Sequence, residues 1–181
     1  MEKLVQSIIA TLTSFADPDR KTFAERSFPS DMKMLGVTNP NMKKVVQNIK
    51  KETKDFSHPQ KIALAQALID THIFECQFVV YEWLGRDRKI LKEITAAEVK
   101  NLMQNLDNWV SVDTLSMGLL GAAWRLGIVD DLLIEQLLHS NDLWLRRTGL
   151  VATVGLNLKS RRSEEQTPEL QYLSTTPDDV F

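Results

Sequence analysis

Apolar residues in this chain recur three and four positions apart, and no segment alternates apolar with polar in the manner of a half-buried strand. That rhythm allows one fold class, all-α, because a helix with one apolar stripe must bury it against other helices. Leu4, Ile8, Ile9, Leu12 and Phe15 predict an opening amphipathic helix that Asp17-Pro18 ends. A short helix over Lys21–Arg26 closes before Pro29. Asn39-Pro40 reads as an N-cap with proline in the first turn, starting a helix to about Thr53. Ser57-His58-Pro59 starts the next, and Phe74–Leu84 follows, stopped by Gly85. Thr95 and Glu98 have the spacing of a capping box for a helix through Leu106. A long helix from Val110 to Leu126 stops at Gly127, and segments over Asp130–His139 and Asp142–Leu156 complete the series.

The helices are about 10–16 residues long, and pairs recur roughly every 35–40 residues, within the range of HEAT-like, armadillo-like helical repeats. No internal sequence identity supports a repeat, so a compact helical bundle is the competing arrangement. The expected organisation is a helical domain over residues 1–158 and a polar, flexible tail over 159–181, with Leu170, Tyr172 and Leu173 able to dock as a short turn. A helical array closes with a capping helix pair. None is legible after Leu158, so the helix carrying Leu150, Val151, Val154, Leu156 and Leu158 is expected to be under-covered.

The single cysteine, Cys76, excludes an intramolecular disulfide and suits a reducing, cytoplasmic compartment. It sits in an apolar helix beside Phe74, Phe78 and Val79 and reads as a packing residue. There is no apolar run of the ~18 residues a membrane span requires, and no signal-peptide pattern. No oligomerisation signal is legible, so a monomer is expected. His58, His72 and His139 lack metal-ligand spacing, and neither a glycine-rich phosphate loop nor a nucleophile elbow is present. No cofactor is therefore expected.

Net charge is −2, and basic and acidic residues are equal in number before Lys159. Composition alone does not announce a nucleic-acid binder, although a balanced body binds DNA when its basic residues share a face. Trp109 and Asp113, four apart, share one face of a helix. An indole attracts a cation by roughly 0.5–2 kcal/mol. A carboxylate beside it can stabilise a sugar cation or orient an attacking water. The plain alternative is a core tryptophan and a solvated carboxylate. Trp144 and Arg147 share a face in the same way, and Arg147 could hold a phosphate or pair with Asp113 across adjacent helices. Arg146 and Lys43 are further basic candidates, with ordinary solvation as the alternative for each.

Four segments in order resemble the AlkD-type DNA alkylation repair proteins. They are Lys33-Met34-Leu35-Gly36-Val37-Thr38-Asn39-Pro40, Phe74-Glu75-Cys76-Gln77, Asn108-Trp109-Val110-Ser111-Val112-Asp113, and Asn141-Asp142-Leu143-Trp144-Leu145-Arg146-Arg147. The resemblance spans roughly Leu4 to Leu158. It implies HEAT-like repeats wrapping duplex DNA, and excision of cationic N3- and N7-alkylpurines. It further implies that Trp109 contacts the lesion-bearing nucleotide, Asp113 stabilises the sugar cation or positions water, and Arg147 holds the backbone. The chain departs from that pattern twice: no aromatic residue after Leu158 fills the family's further aromatic position, and Ser27, with Phe28 beside it, stands where an aromatic is often found. Those departures keep a second expectation open, a helical-repeat module that binds DNA or protein without releasing bases. A third is a chain that folds poorly because its last helix is uncapped.

Overall fold

The computed structural model describes residues 1–164, with side chains as far as Asn157. The helices run α1 (Glu2–Ser14), α2 (Pro18–Ser27), α3 (Asn39–Glu52), α4 (His58–Ile69), α5 (Phe74–Leu84), α6 (Ile90–Glu93), α7 (Ala96–Asn101) and α8 (Trp109–Leu115). A π turn (Ser116–Leu120) then leads into α9 (Gly121–Arg125), followed by α10 (Asp131–Leu138) and α11 (Leu143–Glu164). Among the described residues there is no strand; Lys33 and Ile73 form an isolated parallel bridge. The all-α expectation holds.

Local chemistry explains most helix boundaries. The Asp17 carboxylate accepts hydrogen bonds from the Asp19 and Arg20 amides, so Asp17-Pro18 both ends α1 and starts α2. Ser57 with Gln60 and Thr95 with Glu98 form capping boxes. The cap of α3 is Thr38 rather than Asn39: its extended backbone carries the hydroxyl that accepts from the Asn41 amide, leaving Asn39 and Pro40 in the first turn. The α7 helix stops at Asn101, short of Leu106. Buried side chains of α5 take the carbonyls beyond: Tyr81 donates to Leu102 O at 2.7 Å and Gln77 to Gln104 O at 3.1 Å, and Asn105 turns left-handed (φ 60°). The α6 turn, unforeseen, is started by the Asp87 carboxylate accepting from the Lys89 and Ile90 amides. The helix expected over Val110–Leu126 is broken by the π turn, and Gly127, at φ 70°, ends it as expected.

Packing is sequential. Helices α3, α5, α8 with its π turn, and α11 lie side by side in that order, with α1 and α4 against the start of the row and α10 against its end. The α5 helix is the axis of the core. Val79, Val80, Tyr81, Trp83 and Leu84 are all fully buried there. Of the four tryptophans only Trp83 is fully buried; Trp124 and Trp144 are half-buried and Trp109 is exposed. Cys76 is buried as well, and loss of solvation pushes its thiol up to about 11, with Glu75 adding to the shift against a bond from Thr71.

On α11, of the residues expected to be under-covered, Leu150 is 63% and Val154 48% exposed, Val151 and Leu156 are partly buried, and the Leu158 side chain lies outside the described residues. The helix continues past Leu158 to Glu164, into the segment expected to be tail. The remainder of that expectation, including Leu170, Tyr172 and Leu173, lies outside the described residues.

Candidate active site

The site is built on the first turn of α8. Asn108, fully buried, caps the helix by accepting from the Ser111 amide at 2.9 Å. Its amide nitrogen donates to Asp107 Oδ1, which also accepts from Ser30 Oγ at 2.6 Å, while Asp107 Oδ2 accepts from the Asp31 amide at 2.6 Å. The loop after α2 is thereby tied to the start of α8. Phe28, on that loop, sets its ring edge-on to Trp109 with centroids 6.0 Å apart, and packs against Phe74 at 5.1 Å with the two rings tilted by 45°. Trp109 is held at its base and edge yet remains 46% exposed.

One turn along, Asp113 meets Arg147 of α11. Arg147 Nε donates to Oδ1 and Nη2 to Oδ2, both at 2.8 Å, a fork on a fork. The hydrogen bonds to Asp113 hold the Arg147 guanidinium above its ordinary range, against a smaller opposing effect of burial. Arg147 is 40% exposed, so solvent screening leaves the pair worth about 1 kcal/mol to stability. Its larger effect is geometric, since it fixes where the carboxylate sits relative to the indole.

Trp109 stands between two hollows. A cleft of about 240 Å³ lies toward α2, walled by Phe23, Phe28, Phe78 and Trp109 with Arg20 and Asn39 at its polar edge. An open groove of about 620 Å³ lies toward α11, between Trp109, Leu138, Leu143, Trp144, Arg147 and Leu150. Arg146 borders the groove too, and its guanidinium donates to Ser140 O at 2.7 Å, bracing the loop before α11. Lys43 is exposed on α3 and lines neither hollow. Of the residues singled out in the sequence, the fold thus gathers Trp109, Asp113, Arg147 and Arg146 and leaves Lys43 apart.

Sequence reasoning assigned no role to Asp107 or to Glu75. Glu75 is 2% exposed and has no cationic partner among the described residues; its carboxylate instead accepts from the amides of Leu35, Gly36 and Val37 at 2.8–3.2 Å. That nest of amides requires Gly36 at φ 81°, where a Cβ would lie 2.3 Å from Asp17 O. A glutamate flanked by Phe74 and Cys76 in the first turn of a largely apolar helix was the available signal. No group of three His, Cys, Asp or Glu among the described residues could hold a metal ion. No helix among them is long and apolar enough to cross a membrane.

An all-helical protein that presents an exposed indole one turn from a carboxylate gripped by arginine has the parts to hold a cation against anionic backbone. Its sequence says which such protein it is. The chain belongs to the family described as DNA alkylation repair enzyme, whose profile matches residues 8–174. The match continues past Leu158, into the segment expected to be tail. No curated protein matches the chain.

Proposed function

We propose that this chain is a DNA N-glycosylase that binds duplex DNA and excises cationic N3- and N7-alkylpurines. The observation that carries the reading is the Asp113 carboxylate, clamped by Arg147 one helical turn from the exposed face of Trp109. A purine alkylated at N3 or N7 carries positive charge and is already a good leaving group. When its bond to C1′ breaks, the electron pair leaves with the base and the sugar becomes an oxocarbenium ion. Trp109 offers its π face to that cation, and Asp113 offers negative charge and an acceptor for the proton of the water that attacks C1′. Arg147 keeps Asp113 aimed, and has donors to spare for a phosphate. Arg146 and Lys43 are assigned to the DNA backbone. The row α3, α5, α8, α11 is read as the inner layer of a HEAT-like array, and the protein as a cytoplasmic monomer needing no cofactor.

The groove favours a second reading. Beside the site, Leu143 and Leu150 stand 60% and 63% exposed with no further aromatic residue over them among the described residues. A site so open would let water and bulk ions weaken the electrostatics, leaving a module that binds DNA or protein without chemistry. Incubation with methylated duplex DNA separates the two. The glycosylase reading expects free N7-methylguanine and N3-methyladenine from wild type, reduced about 100-fold or more in Asp113→Asn. Salt-dependent DNA binding by a folded protein with no base release would establish the second reading instead.

A further inference from the structure

Asp113 and Arg147 stand on separate helices and touch only through their side-chain ends. The two helices meet again further along, at the π turn. There Gly121 and Gly155 bring the backbones of α9 and α11 into direct contact. A Cβ on Gly121 would lie 2.9 Å from Gly155 Cα, and one on Gly155 would lie 2.9 Å from Met117 Cα, Met117 O and Ser116 O. Arg125 fastens the crossing by donating from Nη1 to Gly155 O at 2.9 Å.

The spacing gives this contact its reach. Asp113 precedes Gly121 by eight positions, and Arg147 precedes Gly155 by eight. Each pair is therefore separated by about 12 Å of helix, so α8–α9 and α11 run in the same direction with contacts at both ends of that span. In an unbroken α-helix eight residues turn through about 800°, roughly 80° past two full turns. Asp113 and Gly121 would then face differently. The π turn, in which the Gly121 amide donates to Ser116 O, takes up one residue without advancing the helix face. The net turn falls to about 700°, within about 20° of two turns. Asp113 and Gly121 thus look the same way, toward α11. Gly85, at the end of α5, backs the π turn from its other side, where a Cβ would lie 3.1 Å from Gly118 C.

We propose that the π turn, its glycine contact and Arg125 form the positioning element of the site, with Arg125 as the residue that locks Arg147 in register with Asp113. Its bearing on catalysis rests on the glycosylase reading; its bearing on the ion pair does not. The test reads the two separately. The Nε–H proton of Arg147, held by Asp113 Oδ1, gives its own nuclear magnetic resonance signal, assigned by its loss in Arg147→Lys and its shift in Asp113→Asn. In Arg125→Ala and Gly155→Ala that signal moves into the envelope of free arginines while helical circular dichroism is retained. Arg125→Lys, still able to donate to Gly155 O, restores it in part. Val46→Ala, a core change on α3 far from the pair, loses stability and leaves it in place. Base release in Arg125→Ala falls about tenfold to a hundredfold in kcat with KM for methylated DNA unchanged. An unshifted Arg147 signal in folded Arg125→Ala overturns the proposal, and this variant decides alone should Gly155→Ala fail to fold. Wild type that releases no base overturns the glycosylase reading only, and the resonance still decides the inference.

Discussion

Helices α5 and α11 both meet the core, but α5 is enclosed while α11, among the described residues, is covered along a single side. On α5 even the polar side chains Glu75 and Gln77 are buried: the Glu75 carboxylate accepts from three backbone amides of another segment, and Gln77 donates to Gln104 O while its own Oε1 is left without a partner among the described residues. On α11 the buried positions described are Thr148, Gly149, Ala152 and Gly155, none larger than threonine, while Leu143, Leu150 and Val154 stand out in solvent. The two helices divide the work: α5 carries stability, and α11 carries Arg147 at a spacing set by glycines. A helix held by close backbone contact and a few polar bonds is positioned accurately at little cost in buried area.

Substitutions sharpen or break this comparison. The largest effect is expected at Trp83→Ala on α5, a loss of about 3–5 kcal/mol in denaturant unfolding. Glu75→Gln comes next, at about 2–3 kcal/mol, because an amide cannot accept from three amides without burying its own unpaired donors. Tyr81→Phe, which removes the bond to Leu102 O, is expected to cost about 1–1.5 kcal/mol. Leu150→Ala on α11 should cost under about 0.5 kcal/mol. A Leu150 loss matching that at Trp83 would mean that α11 is enclosed after all.

Acid provides a separate check outside both helices. The carboxyls of Asp87 and Glu98 both lie below their ordinary values. For Asp87 the opposing effect of burial is outweighed by bonds from Lys61 and the Ile90 and Lys89 amides. For Glu98 it is outweighed by bonds from Thr95 and His58. Groups lowered in the folded state contribute stability that is complete above their unfolded values, 3.8 and 4.5, and drains away as pH falls through the folded ones. Thermal unfolding scanned downward from pH 6 should show a falling Tm, with Asp87→Asn flattening part of the slope.

Much of this was readable in the chain. Helix periodicity and caps gave α1, α4 and α5 nearly to the residue, because each signal is local and each apolar stripe spans several turns. Trp109 with Asp113 and Trp144 with Arg147 were legible for the same reason, and the pairing of Asp113 with Arg147 followed as one of two options for the arginine. The misses share one physical character. Ser30 and Asp107 are 77 residues apart, and Tyr81 and Leu102 are 21 apart. Bonds of that kind exist only after the helices dock, and they truncated α7 and tethered α8 without a local trace. The π turn is likewise selected by its neighbours, since Ser116-Met117-Gly118-Leu119-Leu120 has an acceptable α-helical composition.

The burial of Cys76 has a chemical consequence for a member of this family. With its thiol pushed up to about 11, only about one molecule in ten thousand carries the thiolate at neutral pH. Electrophiles that methylate nucleobases attack thiolates readily, and the sole sulfhydryl in this sequence is both shielded and protonated. At this position, at least, the protein offers little purchase to reagents that alkylate DNA.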